Sequence, residues 1–301
     1  MTPSFRAEQV HVRVPATSAN LGPGFDALGL ALDLVDDLHA RVADSGLRVD
    51  VTGPGEELPR DEKHLVVRAM RAAFARLGGQ PDGLELSCTN RIPHGRGLGS
   101  SAAAIAGGIL LARALVAGGD ELLPDAQALA LASELEGHPD NVAPALLGGL
   151  TVAWLDQTRA HAIRLECDAR VRPVVFIPPF EASTEQARGL LPASVPHSDA
   201  AANAARAALL VAALTGAPEH LLAATGDLLH QQYREPAMPA TAALVAALRG
   251  DGLPAVVSGA GPTVLVLARD AAEVARARGF APADWRVDEL AVLARGGHVV
   301  A

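Results

Sequence analysis

The segment Arg91–Ala112, RIPHGRGLGSSAAAIAGGILLA, decides how this chain is read. Three alternate glycines, Gly95, Gly97 and Gly99, lead into the pair Ser100 and Ser101 and then an alanine-rich run. Just upstream, LELSC (residues 84–88) alternates apolar and polar side chains as a half-buried strand does. The spacing therefore predicts strand, glycine loop and helix, with the helix running from about Ser101 to Val116. Glycines let a backbone approach an anion closely. The first turn of a helix adds unpaired N–H groups and roughly half a positive charge. Ser100 and Ser101 are expected to cap this helix, one hydroxyl also reaching a phosphate oxygen or its cation. A plain capped helix is the alternative, and the glycine pattern argues against it. Gly107 and Gly108 weaken a helix, so that pair is expected where the helix packs closely on a sheet.

Two familiar phosphate loops do not fit. A Walker-type loop needs a lysine before its Ser/Thr, and Lys63 is the only lysine in the chain. The dinucleotide fingerprint needs a third glycine where Ser100 stands. A serine hydrolase is a poor fit as well, because neither Ser100 nor Ser101 sits in G-x-S-x-G.

The chain has 301 residues, half of them apolar, enough for one large domain or two. Its formal net charge is -9 and no run of Lys or Arg occurs, which argues against nucleic acid as a partner. Cys88 and Cys167 have neither metal spacing nor a disulfide framework, as in a reducing compartment. The opening MTPSFRAEQV carries no signal-peptide core, and the apolar run Ala102–Ala112 is too short to cross a bilayer. A soluble, cytoplasmic protein without membrane contact is expected.

Periodicity gives a coarse map. QVHVRV (9–14) and LRVDV (47–51) read as strands, and Leu65–Leu77 as a helix with Leu65, Ala69, Ala73 and Leu77 on one face. PDAQALALASELEG reads as a helix beginning near Pro124 and stopped by Gly137. His138 precedes Pro139 and is pushed to an extended conformation, so GHPDN reads as a turn. Beyond it come a strand in RPVVFIP, Ala-rich helices to about Leu248, strands in PAVVSG and TVLVLA, a helix from Asp270 to Arg278, and a strand near VDELAVLA. That order is the split βαβ pattern of ferredoxin-like domains. An α+β protein of two domains follows, 1–165 and 166–301.

Two further signatures matter. VPATSANLGPGFDALGLALD (14–33) presents Asn20, Gly22, Gly24 and Asp26 on a turn-rich loop, and SGAGPTVLVL (258–267) has glycines that permit close approach to a ligand. Taken in order with the opening segment, they resemble the GHMP kinase superfamily, small-molecule kinases whose ATP loop is P-x-x-x-G-L-G-S-S-A. The match is complete across Pro93, His94, Gly95, Arg96, Gly97, Leu98, Gly99, Ser100, Ser101 and Ala102. SANLGPGFDALGLAL, EGHPDNVAPALLGG and SGAGPT are similar to the homoserine kinases in particular. The resemblance implies an N-terminal domain like ribosomal protein S5 domain 2 and a ferredoxin-like C-terminal domain. It also implies ATP, Mg²⁺, the substrate L-homoserine, an O-phosphohomoserine product on the way to threonine, and a homodimer.

The resemblance also implies roles. Backbone N–H groups of residues 93–102 wrap the phosphates, and Mg²⁺ stands in for the missing lysine. The metal's glutamate in this pattern is the one before glycine, Glu136, with Ser101 beside it; Glu134 is the alternative, because only Gly137 separates Glu136 from His138. Asn141 hydrogen-bonds the reacting hydroxyl, and Asp140 orients substrate first and accepts a proton second. Asp26 meets the substrate ammonium with Asn20 nearby, His138 contacts the amino acid, and Arg188 and Arg234 fork its carboxylate. Gly261 and Thr263 close the site. His64 stands where relatives often carry an asparagine near the adenine. Two competing readings remain at this point: a kinase of a mevalonate-like alcohol, and a non-catalytic nucleotide binder.

Overall fold

The computed structural model describes residues 3–300. Strands β1 (Val10–Ala19), β2 (Leu28–Ala43), β3 (Gly46–Thr52), β4 (Gly83–Thr89), β5 (Leu150–Asp156) and β6 (Arg159–Leu165) form one sheet. Its helices are α1 (Leu65–Arg76), α2 (Ser100–Leu115), the single turn α3 (Gly119–Leu122), α4 (Asp125–Glu136) and α5 (Pro139–Leu147). The second sheet holds β7 (Arg172–Ile177), β8 (Ala255–Val257), β9 (Val264–Ala268) and β10 (Arg286–Glu289). Around it run α6 (Thr184–Gly189), α7 (His197–Thr215), α8 (Leu221–Ala224), α9 (Gln231–Arg234), α10 (Pro239–Gly250) and α11 (Ala271–Arg278).

β2 organises the first sheet. It is long enough to pair with β1 along its length, with β4 through Asp37–Ala43, and with β5 through Leu28–Leu30. β1 shifts register between Pro15 and Ala16, where proline has no N–H for the ladder. The alternation Val10, Val12, Val14 seats those side chains in the core beneath α1 and α2. Only β3 and β4 are parallel, joined through α1 as a crossover requires.

The second sheet runs in the order β10-β7-β9-β8 with every pairing antiparallel, which is the ferredoxin-like arrangement. Val174, Phe176, Val264 and Val266 face Leu244, Leu248, Val274 and Ala277 there in a separate core. A cut at 165/166 falls between the two sheets, but the chain does not stay in the second. Asp33 N–H donates to Ala291 O at 2.9 Å and Leu293 N–H to Ala31 O at 3.0 Å, and β11 (His298–Val299) pairs with β1.

Six elements were not legible from periodicity: the whole of β2, both strands of the β5–β6 hairpin, α3, α5 and β11. The GHPDN segment is not a turn. His138 is extended as expected (φ −156°, ψ 150°), but Pro139 at N1 opens α5, so Asp140 and Asn141 lie in a helical first turn. Proline at a first helical position was the missed signal. The glycine pair does pack closely, on two partners: a Cβ on Gly107 would stand 3.1 Å from Val14 in the sheet, and one on Gly108 2.6 Å from Val66 O of α1.

Candidate active site

Six chain segments converge on one cavity of about 200 Å³. They are the glycine loop, the end of α4 with the start of α5, the loop after β1, the segment from Ala182 to Arg188 in α6, Arg234 of α9, and the 259–261 turn of the second unit.

The glycine loop owes its shape to left-handed backbone at Gly95 (φ 61°), Gly97 (φ 75°) and Gly99 (φ 68°). At Gly97 a Cβ would also meet Gly261 O at 2.7 Å, so the two glycine turns touch backbone to backbone. Gly99, not either serine, is the N-cap of α2, and no side chain caps it. The serine-cap expectation is thus corrected: Ser100 and Ser101 are the first two helical residues. The first intrahelical N–H is that of Ala103, which donates to Gly99 O at 2.8 Å. The earlier N–H groups have no intrahelical acceptor. Gly95, Gly97, Gly99, Ser100 and Ser101 line the cavity; Pro93, Leu98 and Ala102 stand behind it, Leu98 and Ala102 fully buried.

Arg96 behaves differently from its neighbours. Its guanidinium donates to the carbonyls of His94 (3.0 Å), Pro178 (3.0 Å) and Pro179 (2.7 Å), and pairs with Glu181 at 3.0 Å. Ala182 N–H adds a bond to Gly95 O at 3.0 Å. The one cation inside the loop therefore ties it to the segment leading into α6, and does not face the cavity.

The α4–α5 junction supplies the acidic side. Glu136 ends α4, where Gly137 takes the left-handed conformation (φ 92°). Its Oε2 accepts from Ser101 Oγ at 2.6 Å. Burial pushes its pKa up, and the Ser101 hydrogen bond only partly offsets this. Glu134 points outward to Arg76 in an exposed pair at 2.9 Å and does not line the cavity. Asp140, 1 % exposed, accepts from His138 Nδ1 at 2.8 Å. Burial alone would push His138 down, but the hydrogen bond and charge of Asp140 outweigh it and leave the imidazole raised. Asn141 Oδ1 accepts from Thr17 Oγ1 at 2.8 Å, and its Nδ2 faces Asp140 Oδ1 at 3.5 Å.

The third side carries opposite charges. Asp26 and Arg188 form a two-pronged pair at 2.6 and 3.1 Å. Asn20 is a clamp: its Oδ1 accepts from Asp26 N–H and its Nδ2 donates to Gly259 O, each at 2.9 Å. Both ends of that amide are spent. Arg234, 1 % exposed, has no carboxylate within salt-bridge distance among the described residues, and its buried Nε has no partner. Burial, then the nearby Arg188 cation, pushes its pKa down. An unpaired buried cation is costly, so this one is poised for an anion. Gly261 lines the cavity, but Thr263 does not: its Oγ1 is buried without a partner and its N–H bonds Arg96 O at 3.2 Å.

A second cavity of about 240 Å³ opens beside Ser100 and Ser101, walled by Leu58, Pro59, Leu38, Ala104 and His64. His64 precedes α1, and its Nδ1 is buried without a partner. Thr17, His230 and Phe25 also shape the first cavity's surroundings and went unread, since isolated apolar and hydroxyl residues carry no spacing signal.

Among the described residues no helix is long and apolar enough to cross a membrane. A family model for the GHMP kinases N terminal domain matches residues 64–149, and one for the GHMP kinases C terminal matches residues 209–286. The chain is 62% identical over 299 residues to the homoserine kinase of Streptomyces coelicolor, covering 99% of this chain and 96% of that one. It is 54% identical to the homoserine kinase of Clavibacter michiganensis, over 97% of this chain and 94% of that one. A crystal structure of homoserine kinase from Cytophaga hutchinsonii matches with a TM-score of 0.82 and 28% identity, covering 99% of this chain and 98% of that one.

Proposed function

The chain belongs to the GHMP kinases, and on that premise we propose that it transfers the γ-phosphoryl group of ATP to the side-chain hydroxyl of L-homoserine. The product is O-phospho-L-homoserine, a step toward threonine. One observation carries the choice of substrate: Arg234, buried and without a carboxylate partner, lines the cavity together with Arg188, whose guanidinium is paired with Asp26. An amino acid's carboxylate and ammonium answer those charges. Mevalonate has no ammonium for Asp26, and a purely regulatory binder needs neither Glu136 nor Asn141.

In the reaction the hydroxyl oxygen bonds to the γ-phosphorus, the bond from that phosphorus to the β,γ-bridging oxygen breaks, and the hydroxyl proton departs. The transition state is loose, so alignment and charge neutralisation dominate over base strength. The free N–H groups at the start of α2, with the glycine loop, cradle the triphosphate. Arg96 supports that loop from behind. We assign the adenine to the apolar cavity beside His64.

Asn141 and Asp140 orient the hydroxyl. The carboxylate of Asp140 only accepts, so the Asn141 group facing it is the NH₂, and Thr17 fixes the carbonyl end. Asn141 then donates to the substrate oxygen. With His138 holding its carboxylate, Asp140 serves orientation first and takes a proton second. Asp26 receives the ammonium, while Arg188 and Arg234 receive the carboxylate.

Hard oxygen donors suit Mg²⁺. Glu136 and the Ser101 hydroxyl provide them, and a half-buried carboxylate at a helix C-terminus, with its pKa raised by desolvation, fits such an ion. Mg²⁺ bound there supplies neutralisation of phosphate charge. We place the reaction in the cytoplasm, in keeping with the unbridged Cys88 and Cys167, and propose a homodimer, which sedimentation checks.

The deciding experiment is ADP release on a panel of alcohols. Homoserine-dependent release is expected; strong turnover of mevalonate with none on homoserine would overturn the proposal.

A further inference from the structure

We infer that His230 is a positioning residue for the substrate carboxylate, acting through Arg234; this rests on the function proposed above. His230 is fully buried, and its Nε2 lies 2.8 Å from Gly22 O. A carbonyl only accepts, so Nε2 carries the proton. At Nδ1 the ring faces a guanidinium, which only donates, so Nδ1 is the acceptor and the ring is neutral; burial lowers its pKa in the same sense, against the charge of Asp227 3.6 Å from Nε2. That acceptor meets Arg234 Nη1 at 3.1 Å, while Gly259 O takes the same nitrogen at 3.3 Å. One fork of the guanidinium is thereby anchored by two neutral acceptors and no carboxylate.

The surroundings hold this geometry. Asp227 accepts from the N–H groups of Leu229, His230 and Gln231, fixing the backbone that opens α9. The His230 ring stacks on Phe25 with centroids 5.1 Å apart. The guanidiniums of Arg234 and Arg188 also lie over Phe25, at 5.5 and 5.6 Å from its centre. An acidic partner would anchor Arg234 as firmly, but it would neutralise the charge that the carboxylate needs. A neutral imidazole orients the cation and leaves its charge unspent.

Two substitutions separate the nitrogens. In His230→Asn the side-chain carbonyl can stand near Nδ1 and accept from Arg234. In His230→Gln the amide reaches toward Gly22 and leaves Arg234 without that acceptor. Each variant, with Arg234→Ala as control, is assayed on L-homoserine and on 3-aminopropan-1-ol, which has hydrogen in place of the carboxylate. His230→Gln is expected to raise the homoserine KM about tenfold, the value of one lost hydrogen bond to a charged group. The ATP KM and kcat/KM on the amino alcohol should stay put, and His230→Asn should restore the homoserine KM.

Equal losses for His230→Gln on both substrates, or no change in the homoserine KM, overturn the proposal. If Arg234→Ala handles homoserine as the wild type does, the carboxylate assignment itself fails, whatever His230 does. Nitrogen NMR of histidine-labelled wild-type protein needs no variant: a proton on Nε2 with Nδ1 bare is expected, and a proton on Nδ1 overturns the inference.

Discussion

Thr17 and Asn141 lie 124 residues apart and meet at 2.8 Å, hydroxyl to side-chain carbonyl. The contact joins the end of β1 to the first turn of α5 and fixes the orientation of the Asn141 amide, on which the role proposed for its NH₂ depends. Thr17→Val keeps the shape and removes the hydroxyl, so kcat should fall about tenfold. Thr17→Ser should stay close to wild type. Steady-state kinetics on both variants checks this, and an unchanged kcat in the valine variant would count against the oriented amide.

Glu136→Gln keeps a hydrogen-bonding partner for Ser101 and removes a charge that burial penalises. Turnover should fall by about 100-fold or more, as the loss of metal placement predicts. The melting temperature of the ligand-free protein should hold or rise. A variant with near-normal turnover would move the metal role elsewhere.

Asp26 and Arg188 are paired with each other, and the binding proposed above has substrate replace that pair. Asp26→Asn should raise the homoserine KM about tenfold or more while the ATP KM stays level. A matched rise in both constants would place the pair in loop architecture and not in recognition.

Arg96 links the phosphate loop to the residues that carry Arg188. Arg96→Ala should therefore weaken both substrates, each KM rising several-fold, on the order of one lost hydrogen bond. Isothermal titration with a non-hydrolysable ATP analogue and with homoserine separates the two; a loss confined to ATP would return Arg96 to the nucleotide.

The His138 pKa is raised above 6.5 by Asp140. A raised pKa means the folded protein binds the proton more tightly, so this pair's stabilisation is fully present below about pH 6.5. It is lost as pH rises through the folded-state value. Denaturant titrations across that interval should show stability falling with pH in the wild type and a flatter profile in His138→Gln. Parallel profiles would deny the pair its linkage.

How much of this was readable in advance depended on whether local spacing carried the signal. Gly95, Gly97 and Gly99 announced left-handed backbone, and alternation found β1, β3 and β4. β2 was hidden because its length and burial on both faces break simple alternation. α5 was hidden because Pro139 reads as an end as readily as a beginning. At the site, Arg96 could be matched to a motif, but no motif says that a guanidinium turns to the carbonyls of Pro178 and Pro179. The same holds for Thr263, sealed beneath the surface, and for Asn20, spent as a clamp. Asp26, Arg188 and Arg234 lie far apart in sequence, so the pairing of Asp26 with Arg188 and the cavity that Arg188 shares with Arg234 exist only in the folded chain.

The last strand changes what kind of object the second unit is. Because residues 291–293 and β11 are stitched back onto β2 and β1, that unit is an insertion fastened at both ends. A unit moored along two lines, and packed into the main core through Val175, Ile177 and Leu265, resists swivelling. Trimming the final ten residues would cut one mooring and bare the edge of β1, inviting strand addition by neighbouring molecules.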